Sequence, residues 1–155
     1  MQSTRVIPYS SAHAAEFRRL NLEWLDHYHL TESHDLLVLD DPEGTILDGG
    51  GVIYLAEEDG IIVGTAALMR EEEEDVYELV KMAVTQAYRG RGISRLLIDA
   101  CLQAAKDLKA KKVTLFSNHQ LTTAISLYEK YGFRHVEVKN SPFTTADVRM
   151  ELILR

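Results

Sequence analysis

Residues 84–95 read Val84-Thr85-Gln86-Ala87-Tyr88-Arg89-Gly90-Arg91-Gly92-Ile93-Ser94-Arg95. The run before them, from Val76 to Val84, is apolar and strand-like. After them Ile93, Leu96, Leu97, Ala100, Cys101, Ala104 and Leu108 recur at the spacing of an amphipathic helix. The stretch is therefore a strand–turn–helix joint. Its glycines allow a tight turn that exposes successive backbone N–H groups. The helix start adds unpaired N–H groups and the positive end of a dipole. Such a joint suits a pyrophosphate, and Arg89, Arg91 and Arg95 add charge. It is not a Walker loop, which needs G-x-x-x-x-G-K-[ST], and Arg95 stands where a dinucleotide fingerprint needs its third glycine. On the turn alone, a solvated Gly-Arg turn at a helix start accounts for these residues equally well.

Upstream, Val52 to Ala56 and Ile61 to Met69 read as strands joined by the hairpin signal Asp59-Gly60. Val76 to Val84 completes a three-strand meander after the acidic loop Glu71 to Asp75. Val6 to Tyr9 reads as a short first strand, and Ser10 and Ser11 as N-caps of a helix. That helix carries Ala14, Phe17, Leu20, Leu22, Trp24, Leu25 and Tyr28, with a break expected near Asn21. Residues 31–50 read as an irregular connection, marked by Asp41-Pro42 and the run Gly49-Gly50-Gly51. Downstream come a strand over Val113 to Phe116, a helix carrying Ala124, Leu127, Tyr128 and Tyr131, and its stop at Gly132. Phe133 to Val138 and Asp147 to Leu154 are two further strands around a loop with Ser141-Pro142-Phe143. The expected class is α/β (α+β): one domain over 1–155, with a twisted, mixed but mostly antiparallel sheet of about six to seven strands and about four flanking helices.

Composition narrows the function. The 155 residues include 17 basic and 24 acidic side chains, a net charge of -7. That balance speaks against a general nucleic-acid binder. The single cysteine, Cys101, excludes an internal disulfide framework and fits a reducing compartment. No apolar run reaches the ~18 residues of a membrane span. The start, MQSTRVIPYS, lacks a signal-peptide core. A cytoplasmic protein with no membrane or nucleic-acid partner is expected. His27, His29 and His34 lie near several acids but show no recognised ligand spacing, so no metal is expected.

Two ordered blocks carry a resemblance. Arg89-Gly90-Arg91-Gly92-Ile93-Ser94 is similar to the [QR]-x-x-G-x-[GA] signature of the GNAT superfamily of acyl-CoA-dependent N-acetyltransferases. Ala124-Ile125-Ser126-Leu127-Tyr128-Glu129-Lys130-Tyr131-Gly132-Phe133 resembles the A-x-x-L-Y-x-K-x-G-F block that closes that family's core. The likeness is firm over 76–136, extends to the hairpin at 51–70, and fades over 1–50. Ser94 replaces the usual Gly or Ala, and Leu121 stands where the family commonly has Asn.

The resemblance implies a sheet that splays between its fourth and fifth strands, with acetyl-CoA as co-substrate in the gap. The pantetheine would pair with Met82, Ala83 and Val84. The pyrophosphate would rest on the turn formed by Arg89, Gly90, Arg91, Gly92, Ile93, Ser94 and Arg95. Asn118, one turn before Leu121, would touch the cofactor arm. Tyr128 would be the general acid for the leaving thiolate, since a phenol near pKa ~10 can protonate a thiolate near ~8.5 at small cost. Glu78 falls where histone acetyltransferases of the superfamily carry a general-base glutamate. Strand alternation places Glu78, Val80, Met82 and Val84 on one face unless a bulge re-aims them. A backbone N–H of Met82 or Ala83 would polarise the carbonyl. Glu23, Trp24, His27 and Tyr28 are candidates for the acceptor side. Cys101 lies in an apolar stripe and reads as inert, which favours direct transfer over a ping-pong route.

The implied function is acetyl transfer from acetyl-CoA to a primary amine of a small molecule or peptide in a ternary complex. The alternatives are a different acyl donor or a non-catalytic acyl-CoA-binding sensor. The acidic run would favour a cationic amine if it bordered the cleft. A homodimer through exposed C-terminal edge strands is a further expectation.

Overall fold

The computed structural model describes residues 4–139 and 141–155. Its strands are β1 (Thr4–Pro8), β2 (Val52–Glu58), β3 (Ile61–Arg70), β4 (Val76–Val84), β5 (Lys112–Ser117), β6 (Arg134–Val136) and β7 (Val148–Ile153). The helices are α1 (Ala14–His27), α2 (Ser33–Asp40), α3 (Ile93–Asp107) and α4 (Thr122–Lys130). The strands form one seven-stranded sheet in the order β1-β2-β3-β4-β5-β7-β6. Only β4 and β5 run parallel, so the sheet is mixed and mostly antiparallel, as the sequence leads one to expect. Among the described residues no helix is long and apolar enough to cross a membrane.

The central strand β3 is apolar on both faces because helices cover both. On one face α3 and α4 bury Leu97, Ile98, Cys101 and Tyr128 against Val63, Leu79 and Val84. On the other, α1 and α2 bury Phe17, Leu20, Val38 and Leu39 against Ile53, Leu55 and Ala67. Asp59 and Gly60 both take positive φ, 52° and 79°, which is the backbone a two-residue hairpin turn requires. At the end of α4 the Gly132 N–H bonds Glu129 and the Phe133 N–H bonds Tyr128, closing the helix where expected.

The first fifty residues depart from the sequence reading in three places. Helix α1 is unbroken at Asn21, whose buried amide donates to the Phe17 carbonyl and to Thr65 Oγ1. A polar residue can sit inside a helix when its amide is satisfied in this way. Ser10 makes no side-chain cap; a tight turn over Ser11–His13 comes first, and α1 starts behind His13. Residues 31–50 are not an irregular connection, because they hold α2 and a wide helical turn over Glu43–Leu47. The apolar residues of α2 are consecutive (Leu36 to Leu39), so they form no periodic stripe. Its start is fixed instead by Asp35, which accepts the Glu32 backbone N–H at 2.9 Å.

Two irregularities of β4 shape the site. The β4–β5 ladder has only three pairs, Val76↔Lys112, Tyr77↔Val113 and Glu78↔Thr114. Beyond Glu78 the two strands part. The pairing of β4 with β3 jumps from Ala67↔Val80 to Thr65↔Ala83, so two residues of β4 oppose one of β3. Lys81 sits in this bulge with φ 54°. The bulge breaks the alternation: Val80 packs toward α1 and α2, whereas Met82 and Val84 pack toward α3 and α4. The Lys81 backbone and side chain are both held. Its carbonyl accepts from Thr65 Oγ1 at 2.7 Å, and its ammonium forms a nearly buried ion pair with Asp35.

Candidate active site

The parted strands open a cavity of about 780 Å³. Its wall takes residues from both sides of the sheet, so it passes through the splay. At the α3–α4 end the wall includes Met82, Ala83, Val84, Arg89, Gly90, Gly92, Ile93, Ser94, Arg95 and Tyr128. At the α1–α2 end it includes Trp24, Tyr28, Leu30, Asp35, Lys81 and Phe143. Glu78 lies on the wall where β4 and β5 diverge.

The turn presents backbone donors. Gly92 caps α3 with φ 79° and offers no side chain to the helix. The N–H groups of the first turn of α3 therefore face outward without intrahelical acceptors. A Cβ at Gly90 or Gly92 would meet nothing within 4 Å, so both glycines border open space. These residues fit a pyrophosphate. Among the arginines, Arg89 stacks on Trp24 at 4.6 Å and donates to the Val84 carbonyl at 3.2 Å. Arg91 pairs with Glu58 at 3.0 Å and stacks on Tyr88, so its side chain turns toward β2 while its backbone stays in the turn.

Tyr128 is buried, with its hydroxyl 3.8 Å from Met82 Sδ. Burial pushes the phenol up to about 12. Glu78 is 7% exposed, and its carboxyl rises to about 7. Burial is the main cause and nearby Glu71 adds to it, while Lys81 and Arg149 pull the other way. Cys101 has no exposed surface, and burial lifts its thiol to about 12. The inert thiol expected from the sequence matches that environment.

Most of the expected site residues reach the cavity wall, Asn118 among them, but not all do. Glu23 and His27 do not line the cavity. Glu23 accepts from Thr85 Oγ1 at 3.0 Å and from the Gln86 N–H at 3.3 Å, which ties α1 to the turn. His27 packs edge-on against Tyr28. Asn118 lines the cavity, but its amide donates to the Thr145 carbonyl at 2.7 Å and its oxygen accepts from Gln120 N–H. It thus fastens the loop after β6 to the end of β5. Glu72, Glu73 and Glu74 also stand off the wall, and Glu73 pairs with Lys111. No residue from Glu71 to Asp75 borders the cleft, so the condition under which the run would favour a cationic amine is not met.

Sequence reading did not single out Asp35, Lys81, Glu32 or Phe116. A lysine inside an apolar strand was the one available signal. Glu32 accepts four hydrogen bonds, from the N–H and hydroxyl groups of Thr144 and Thr145. Its desolvation would raise its pKa, but these bonds win and hold it at about 2. This grip brings Phe143 against Phe116 and His34, so the Phe143 ring covers part of the α1–α2 end of the cavity. Glu32→Ala is expected to raise the KM for the acceptor severalfold and leave acetyl-CoA binding unchanged. Steady-state kinetics with each substrate varied in turn checks this.

The acetyltransferase (GNAT) domain family matches residues 49–135, and the chain belongs to that family. Among curated relatives it is 34% identical over 87 residues to a human N-acetylaspartate synthetase, covering 56% of this chain and 29% of that one. It is 30% identical over 106 residues to the uncharacterized N-acetyltransferase YvbK of Bacillus subtilis, covering 66% and 68% of the two chains. The chain thus spans less than a third of the length of the human synthetase it matches. A GNAT-family acetyltransferase from Staphylococcus aureus superposes with a TM-score of 0.90 at 22% identity, over 99% of this chain and 100% of that one. PaiA N-acetyltransferase from Thermoplasma acidophilum, in complex with coenzyme A, gives 0.77 at 16% identity, over 98% and 99%. These structural likenesses establish the fold.

Proposed function

We propose that this chain transfers the acetyl group of acetyl-CoA to a primary amine by direct attack in a ternary complex. The observation that carries the reading is the single cavity through the splayed sheet. It joins the glycine turn at the start of α3 to Tyr128 and Glu78. The first turn of α3 would take the pyrophosphate, and the unpaired side of β4 at Met82–Val84 would take the pantetheine. The donor supplies an activated thioester; the protein supplies position and two proton-handling groups.

Glu78 suits the base role because burial moves it toward neutrality. A carboxylate near 4.5 would be a poor match for an ammonium near ~10, and one near 7 closes about half that gap. Tyr128 suits the acid role, though its raised pKa makes protonation of an ordinary thiolate uphill. The leaving thiolate emerges in the same buried site, so desolvation raises its basicity too and narrows the difference. The backbone N–H groups of the bulge at Lys81 and Met82 are candidates to polarise the thioester carbonyl.

The test is thermal stability with and without acetyl-CoA, then free-thiol release across primary amines. A ligand that binds only the folded state must raise its stability. A shift with amine-dependent thiol release is expected. No shift at saturating acetyl-CoA overturns the donor assignment. A shift with no release on any amine points to a sensor.

A further inference from the structure

Glu78 is the last residue of β4 that pairs with β5, and its partner there is Thr114. Tyr77 and Leu79 pack toward α3 and α4, as do Val113 and Leu115, so Glu78 and Thr114 turn their side chains to the opposite face. Thr114 has no exposed surface, and its hydroxyl donates to Glu71 Oε2 at 3.1 Å. Glu71 comes two residues after Met69, which lies opposite Glu78 in the β3–β4 ladder, and its N–H bonds the Val76 carbonyl. Glu71 stands off the cavity wall, whereas Glu78 is on it. A second carboxylate is thus fastened behind the candidate base. It is the second cause, after burial, of the raised Glu78 carboxyl. Lys81 from β4 and Arg149 from β7 face Glu78 with the opposite charge. Lys81 is paired with Asp35 of α2. Arg149 stacks on Phe116 at 5.3 Å and lies 3.9 Å from Glu151, and its buried Nε has no hydrogen-bond partner among the described residues. On β5, Lys112 pairs with Glu151 at 3.0 Å.

We infer that Glu71 is a positioning residue for the acyl transfer: tethered by Thr114, it holds a second negative charge behind Glu78 and so sets how readily Glu78 takes the proton of the attacking amine. The inference rests on the acyl-transfer reading above and deepens the base role within it. Glu71 does not reach the cavity and acts only through Glu78. A like charge disfavours a second ionised carboxylate, so Glu78 becomes a stronger base than burial alone would make it. Arg149 works against Glu71 on the same group. In the step so assisted, one proton moves from the amine nitrogen to a Glu78 oxygen. The C–N bond forms, the C–S bond breaks, and the thiolate takes its proton from Tyr128.

Two readouts test this. The first is the pH profile of kcat/KM, measured by thiol release from acetyl-CoA with an amine the protein accepts. Glu71→Gln removes the charge but keeps an oxygen for the Thr114 hydroxyl. The rising limb, near pH 7 in the wild type, should move to lower pH by at least about half a pH unit. Thr114→Val releases the Glu71 side chain and should move the limb the same way by less. Arg149→Met should move it to higher pH. The second readout needs no turnover. Chemical denaturation at pH 8 compares the stability gained by Glu78→Gln in the wild type and in the Glu71→Gln background. The gain should be smaller in the latter by at least about a fifth, the share that half a pH unit makes of the rise from 4.5 to about 7. An undiminished gain overturns the inference, and so does a limb that stays in place or rises in Glu71→Gln. Failure of acetyl-CoA to stabilise the protein would instead overturn the acyl-transfer reading, and the stability comparison would still read the coupling of Glu71 to Glu78.

Discussion

Glu78→Gln should cut kcat/KM by about 10²- to 10⁴-fold, the range typical of a lost general base. The same substitution should make the protein more stable at pH 8. The folded state holds the Glu78 proton up to about pH 7, whereas the unfolded chain releases it near 4.5. Between those values the folded state binds more protons, so stability falls as pH rises, and above pH 7 the full penalty remains. A shift of that size corresponds to about 3 kcal/mol. A neutral amide of the same shape removes the penalty. Chemical denaturation of both proteins at pH 5 and pH 8 checks this. The gap between them should be wide at pH 8 and small at pH 5. Wild-type kcat/KM should rise with pH through about 7, and the variant should lose that limb. A variant no more stable than wild type at pH 8 would mean the carboxylate is charged and well solvated.

Tyr128→Phe should lower kcat by about 10²- to 10⁴-fold while leaving the acetyl-CoA thermal shift intact. The hydroxyl has only a long contact with Met82 Sδ, 3.8 Å away. Removing a buried hydroxyl with so weak a partner should change folding stability by less than about 1 kcal/mol, because little hydrogen bonding is lost. The ring keeps its packing against Phe133 at 5.8 Å. Comparing single-turnover rates with melting curves separates the two roles. A purely structural tyrosine would show unchanged chemistry. A Tyr128→Phe protein that turns over like wild type removes this residue from the proton path.

The parts of the molecule governed by local rules were readable from the chain. Asp59-Gly60 dictates its own turn, Gly92 its own helix start, and Gly132 its own helix end. Tyr128 was reached through an ordered motif, and Glu78 through its place on the strand before the turn, rather than through periodicity. The residues that escaped notice depend on distant partners. Lys81 meets Asp35 across 46 positions of sequence, and Glu32 meets Thr145 across 113. Neither partner carries a pattern that points to the other. The bulge at Lys81 is likewise a product of pairing with β3, and it reversed the face on which Met82 and Val84 were expected relative to Glu78. That reversal puts the Glu78 carboxylate toward one end of the cavity and Met82 and Val84 toward the other.

The three-pair seam between β4 and β5 has a further consequence. Past Glu78, β4 carries a bare strand edge inside the protein, and no strand pairs with residues 79–84 on that side among the described residues. Backbone amides and carbonyls on such an edge must bond to solvent when nothing else is present. Along residues 79–84 the sheet is in effect one strand short on that side. An extended chain carrying its own amides could pair with that edge as a transient strand. On the proposed acyl-transfer reading, donor capture would exchange solvent for backbone pairing, and the substrate would briefly join the two halves of the sheet.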